Sequence, residues 1–184
     1  MSNITKKAMA KSLKNMLQTK ELDKITVTDI ANDCGINRQT FYYHFRDVYD
    51  LLEWIFENEV VEKVESETTI KNWQENFAYV FNYMLNNKTF IINVYNSLSR
   101  QYLLSFLFKH CNKLFIVIID DVSKNYNISK ENKIFIANFY KYGFAGIIES
   151  WIVAGMKEKP ENIIKKLDVM ITGNFEEAVK KMSN

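Results

Sequence analysis

Nine residues between Thr26 and Arg46 carry side chains that hydrogen-bond well to flat arrays of donors and acceptors: Thr26, Asn37, Arg38, Gln39, Thr40, Tyr42, Tyr43, His44 and Arg46. Most of them fall in the run NRQTFYYHF, Asn37 to Phe45. An Arg fork can hold guanine O6 and N7 together, and a Gln amide can do the same at adenine N6 and N7. Asn, Tyr and His side chains suit phosphate oxygens, as do the amides that open a helix. Phe41 and Phe45 stand four apart and belong on an inner face, which leaves Arg38, Gln39, Tyr42 and Tyr43 for the outer one. A histidine at a helix end and a pair of tyrosines also serve ordinary packing, so residue type alone leaves both roles open for Tyr42, Tyr43 and His44.

Such side chains need a scaffold, and the flanking sequence predicts one. Thr26 and Asp29 form the T-x-x-D pattern of a capping box at the start of a short helix. Ile30 and Ala31 give that helix its apolar side. Gly35 follows as a left-handed stop, a conformation a residue without Cβ enters at little cost. Ile36 plugs the turn, and Asn37 caps a second helix from Arg38 to Phe45. Two short helices around a turn containing Gly make a helix-turn-helix unit, whose second helix enters the major groove of DNA. Upstream, Ala8, Met9, Leu13, Met16 and Leu17 give an apolar stripe to a helix over residues 4–20, with Lys7, Lys11 and Lys14 on other faces. Downstream, Asp47 caps a helix from Val48 to about Glu67. Its inner stripe is Leu51, Leu52, Ile55, Phe56 and Val60, and its glutamates face water or a neighbour.

Composition sets the bounds. Apolar residues make up 47% and charged residues 25%, as in a soluble globular protein, and 13 Phe, 10 Tyr and 3 Trp must be buried somewhere. One Pro and five Gly favour long helices, so the expected class is all-α. Cys34 and Cys111 make no disulfide framework, and a reduced cytoplasm fits them best. Neither a secretory signal nor an unbroken membrane-length apolar run is present, so no membrane partner is expected. The net charge is +2 but uneven: residues 1–46 hold 8 Lys/Arg against 4 acids, whereas residues 47–184 hold 16 against 18. A basic front end on a mildly acidic body suits phosphate contact at one end. No Cys/His spacing matches a zinc site, no cofactor motif appears, and no nucleophile elbow, P-loop or paired carboxylate motif supports an enzyme.

The stretch from Thr26 to Leu51 resembles the DNA-binding domain of the tetracycline-repressor (TetR) family, whose pattern is roughly T-x-x-x-I-A-x-x-[AC]-G-[VI]-S-x-G-T-x-Y-x-H-F-x-[SD]-K-x-x-L. Thr26, Ile30, Ala31, Cys34, Gly35, Ile36, Thr40, Tyr42, His44, Phe45, Asp47 and Leu51 meet it. Gln39 stands where Gly is commonest, and Val48 where the family usually has a phosphate-directed Lys, leaving Arg46 as the neighbouring cation. The run Asn37–Phe45 and the spacing Gly143, Gly146, Trp151, Gly155 resemble the branch that includes activators of dihydroxyacetone kinase operons. The resemblance implies a three-helix helix-turn-helix head, residues 1–47, on a larger helical regulatory and dimerisation body, residues 48–184. It also implies a homodimer on palindromic double-stranded DNA, controlled by a small-molecule or protein effector.

In the body, helical periodicity covers Asn72–Asn86, Thr89–Leu98, Arg100–Asn125, Lys130–Met156 and Pro160–Met182. The β-branched run LFIVII at 114–119 is expected to be a helix buried nearly all round. Trp73, Phe77, Phe81, Tyr95, Tyr102, Phe106 and Tyr140 are the candidate walls of an effector pocket, although aromatics at helical spacing equally make a core. Phe135, Phe139, Tyr142, Gly146, Ser150 and Val153 recur three and four apart. The last helix adds Ile163, Ile164, Leu167, Met170, Ile171 and Phe175. From these stripes Tyr142, Gly146, Ser150, Val153, Ile164, Leu167 and Ile171 are the expected dimer contacts, unless the helices merely complete one chain's core.

Overall fold

Caps, turns and apolar stripes along this chain produce helices throughout. The computed structural model describes residues 2–64, 69, 71–97 and 100–183. In chain order the helices are α1 Ser2–Met16, α2 Val27–Asp33, α3 Arg38–His44, α4 Val48–Phe56, α5 Glu62–Val64, α6 Trp73–Asn86, α7 Lys88–Tyr95, α8 Arg100–Val122, α9 Lys130–Val153, α10 Pro160–Ile171 and α11 Asn174–Lys181. Among the described residues the one β pairing is an isolated bridge, Ile128 to Ser183. The fold is all-α. The chain divides into two compact units, Met1–Glu59 with Asn87–Leu103, and Val60–Asn86 with Leu104–Asn184.

In the first unit, local chemistry sets the helix ends. Thr26 accepts the Asp29 N–H, and Asp29 accepts the Thr26 N–H at 2.9 Å, a complete capping box. Gly35 sits at φ 64, and the Gly35 and Ile36 amides donate back to Asn32 and Ala31. That pair of bonds is the Schellman stop of α2, and only a left-handed residue permits it. Asn37 caps α3 through the Thr40 N–H, and Asp47 caps α4 through the Asp50 N–H. Met9, Leu13 and Leu17 of α1 and Ile30, Ala31, Phe41, Phe45, Leu51, Leu52, Ile55 and Phe56 are buried. Ala8 is exposed, because it lies about 100° round the helix from Met9. The end of the segment expected as helix to residue 20 is instead a turn and a bend.

The helix expected to run unbroken from Val48 passes through one π turn, Glu57–Val61, before α5. Its expected continuation toward Glu67 lies outside the described residues, as does Leu98. The segment carrying α7 joins the first unit through contacts no local pattern announces. The Asn93 amide donates to the Leu17 carbonyl at 2.6 Å, the end of α1. Phe90 packs on Phe56 with centroids 5.6 Å apart. Lys14 pairs with Glu59 at 2.5 Å and lies 5.8 Å over the Phe90 ring.

The second unit is built on an aromatic cluster. Phe77 of α6, Phe115 of α8, Phe144 of α9 and Phe175 of α11 converge, with Phe77–Phe144 at 4.5 Å and Phe115–Phe175 at 5.9 Å. The span Arg100–Asn125 has the length and hydropathy of a membrane-crossing helix. Leu107, Cys111, Leu114, Phe115, Ile118 and Ile119 are nevertheless buried in protein, the pattern of a core helix. Val117 of the run expected to be buried all round is exposed. The expected helix Pro160–Met182 is two helices. Gly173, at φ 80, cannot continue a right-handed helix, and α11 starts beyond it. Met170, expected inward, is exposed.

The capping box predicts a pH dependence. The Thr26 backbone N–H, and then its hydroxyl, hold the Asp29 carboxyl below its ordinary value of 3.8. A lowered folded value means that the stabilisation is present above the unfolded value and is lost as pH falls through the folded one. Urea unfolding at about pH 5 and about pH 3 is therefore expected to show a smaller acid loss for Asp29→Asn than for the unsubstituted chain. Equal losses would remove Asp29 from the account.

Candidate nucleic-acid interface

α3 is a two-faced helix. Phe41 and Phe45 are buried, with ring centroids 5.9 Å apart, and fix its inner side. Arg38, Gln39, Tyr42 and Tyr43 are exposed on the outer side. The pairs 38/42 and 39/43 are each one turn apart, so the four side chains form one patch. Arg38 Nη2 donates to the Tyr42 hydroxyl at 3.4 Å. Tyr43, 82% exposed, meets the His44 ring in a T-shaped pair, at 5.0 Å and 81°. His44 is half-buried between its neighbours Tyr43 and Phe45.

The remaining candidates divide by what already holds them. Thr26, Asn37 and Thr40 use side-chain oxygens in caps. Asn37 Oδ1 accepts from both the Thr40 N–H at 2.7 Å and the Thr40 hydroxyl at 2.9 Å. Arg46 is exposed in the link between α3 and α4, where Asp50 accepts its backbone N–H at 2.9 Å and lies 3.5 Å from its Nε. Asp50 was no candidate from sequence. Its signal is a carboxylate three residues past the Asp47 cap and four past an arginine. Val48 is buried, so that position turns into the core and offers nothing to a phosphate.

The lysines of α1 also divide. Lys7 and Lys11 are exposed. Lys6 lies 5.4 Å over the Phe45 ring and 5.9 Å over Trp54, and Lys14 is engaged by Glu59. A positive, hydrogen-bonding face on a helix held by a tight glycine turn is the geometry of base reading in a major groove.

Comparison with known proteins agrees. The family model for bacterial regulatory proteins of the tetR family matches residues 13–55, and TetR_C_8, a transcriptional regulator C-terminal region, matches residues 71–173. The chain belongs to the TetR family. It is 31% identical over 155 residues to the HTH-type dhaKLM operon transcriptional activator DhaS of Lactococcus lactis subsp. lactis (strain IL1403), covering 84% of this chain and 82% of the relative. A solved structure of a dihydroxyacetone kinase operon activator DhaS superimposes with a TM-score of 0.72 at 26% identity, over 98% of this chain and 99% of that one. The resemblance to that branch of the TetR family therefore extends well beyond the helix-turn-helix, and these relatives are transcriptional regulators rather than enzymes.

The seven expected pocket residues are divided between the two units. Tyr95 and Tyr102 fall in the first unit and the other five in the second. Tyr102 is 58% exposed and stacked on Tyr49 at 4.8 Å. Trp73, Phe77 and Phe81 are filled in by neighbours: Phe144 lies against Trp73 and Phe77, and Trp151 against Phe81 at 5.0 Å. Phe106 packs on His110, and Tyr140 stacks on Phe175 at 4.0 Å. A shallow depression of about 290 Å³ at the α10–α11 turn is bordered, among the expected wall residues, by Trp73.

The expected dimer residues split as well. Tyr142, Ser150 and Val153 are exposed on α9 and Gly146 is half-exposed, whereas Ile164, Leu167 and Ile171 are buried within the chain. Leu167 also joins Tyr142, Gly146 and Ser150 around a groove of about 650 Å³ between α9 and α10.

Neither thiol is primed for chemistry. Burial pushes the Cys34 thiol up, and pushes Cys111 up to about 12. Among the described residues no group of three His, Cys, Asp or Glu side chains is placed to hold a metal.

Proposed function

We propose that this TetR-family chain is a homodimeric activator of transcription that reads a palindromic operator with α3 and is controlled by an effector acting on its second unit. The outer face of α3 carries the reading: Arg38 and Gln39 as base readers, with Tyr42, Tyr43, His44, Arg46, Asn37, Thr40 and Thr26 nearby as further DNA contacts. The direction, activation, and the class of target, genes for dihydroxyacetone phosphorylation, rest on the names of the two relatives. Two heads on a twofold axis would read two half-sites. The exposed apolar stripe of α9 supports pairing, since a patch of this kind marks an interaction surface. Such a regulator works in the cytoplasm, where the DNA is.

The test is salt-dependent binding of the full chain to DNA upstream of its own gene cluster, with unrelated DNA as competitor. Arg38→Ala and Gln39→Ala are each expected to cost about 1–3 kcal/mol of discrimination at one base pair of each half-site. Unchanged preference in both variants would remove the two residues from the readout.

For the effector, one observation supports a protein over a small molecule: Trp73, Phe77 and Phe81 are packed against neighbouring aromatics. A small-molecule effector would have to open that cluster. Either effector acts by binding the DNA-competent and incompetent states with different affinity. Binding assays with small metabolites alone, and with co-purified partner protein, separate the two.

A further inference from the structure

We infer that Tyr42 is a positioning residue: its hydroxyl holds the Arg38 guanidinium in register for base reading, so that Tyr42 sets specificity through Arg38. This rests on the reading of α3 given above. Arg38 is the first residue of α3 and is exposed. An exposed arginine side chain samples many rotamers, and bidentate readout demands one orientation of its planar fork. One turn on, the Tyr42 hydroxyl accepts from Arg38 Nη2 at 3.4 Å, and Arg38 Cζ lies 5.9 Å from the centre of the Tyr42 ring.

The tyrosine can act as a post because its own ring rests on the core. It meets Phe41 edge to face, at 5.8 Å and 86°, and Phe41 is fully buried. Orientation thus passes from the core phenylalanine to the tyrosine ring and then to the guanidinium. Tyr42 is 48% exposed against 82% for Tyr43, which turns toward His44 instead. The two adjacent tyrosines therefore have different tasks. One Nη hydrogen bond to a phenol leaves the other guanidinium donors for a base, because the group carries five N–H donors. Holding the fork before DNA arrives lowers the ordering cost of binding.

A double-mutant cycle tests this in the full-length protein. Binding to the operator and to single-base-pair variants of it is measured for the unsubstituted chain, Arg38→Ala, Tyr42→Phe and the double variant. Arg38→Ala identifies the base pair that Arg38 reads. Tyr42→Phe is expected to reduce discrimination at that same base pair roughly 3–10-fold, with no effect on discrimination when Arg38 is already Ala. Its thermal midpoint should match that of the unsubstituted chain, since the ring and its contact with Phe41 remain. A Tyr42→Phe loss that is uniform across sequences, or that persists in the Arg38→Ala background, would mean that the Tyr42 hydroxyl acts on DNA directly and not through Arg38, and would overturn the proposal. Unchanged discrimination would overturn it too. Failure of the unsubstituted chain to prefer any sequence would overturn the DNA-reading role itself, and this inference with it.

Discussion

Phe139→Glu is expected to leave each chain folded and to weaken binding to a two-half-site operator about 10²–10⁴-fold, the gain a second tethered head supplies. Phe139 is 70% exposed, so its loss opens no cavity within the chain. It lies on the same stripe of α9 as Phe135, Tyr142, Gly146 and Val153, and Val169 and Met170 are exposed on α10. A carboxylate placed in that stripe would have to lose its hydration for two copies to pair, a cost it avoids by staying monomeric. The glycines of α9 support the same interface. A Cβ added at Gly143 or Gly146 meets no heavy atom within 4 Å. Nothing among the described residues requires glycine there, although each costs a helix about 1 kcal/mol relative to alanine. A second backbone crossing close by gives them a reason. Gly146→Leu should therefore weaken pairing as Phe139→Glu does. Sedimentation gives the oligomeric state, and binding to full and half operators separates loss of pairing from damage to the head. If Phe139→Glu stays dimeric and binds the full operator normally, the interface lies elsewhere.

Phe115→Ala is expected to destabilise the second unit by about 3–5 kcal/mol. Phe115 is 1% exposed, and its ring meets Phe144 at 4.9 Å, Tyr140 at 5.7 Å, Phe175 at 5.9 Å and Phe77 at 6.2 Å. Four helices share that ring. Truncation removes its buried surface and leaves a void that α6, α8, α9 and α11 cannot all close at once. Against a usual stability of about 5–15 kcal/mol, this is a large share. Urea unfolding followed by tryptophan fluorescence reads it, because Trp73 and Trp151 sit in the same packed region. A loss below about 1 kcal/mol would mean that the cluster is loosely packed and already has room for a ligand.

The helix-turn-helix was legible because its interactions are short-range. The Thr26–Asp29 box, the Asn37–Thr40 and Asp47–Asp50 caps and the Gly35 stop each span six residues or fewer, so residue type and spacing nearly determine them. The inward Phe41 and Phe45 follow from helical periodicity alone. The break at Gly173 was equally local, yet the apolar stripe that runs on through Ile171 and Phe175 conceals it. Hydrophobic periodicity persists across a bend when both helices face one core.

Tertiary structure decided what depends on distant partners. Lys14 looks like any other lysine of α1 until Glu59, 45 residues away, claims it. Asn93 looks like a helix-surface amide until it meets the Leu17 carbonyl. The aromatics of the body are the clearest case. Trp73, Phe77 and Phe81 have the spacing of a pocket wall and of a core alike, since both need one apolar face. Only the tertiary structure shows the rings of α8 and α9 that pack against them. Sequence by itself determined the reading head, the helical class and the family pattern. The packing of the body, the fate of each lysine and the tie between Arg38 and Tyr42 depended on side chains meeting in space, which spacing along the chain does not encode.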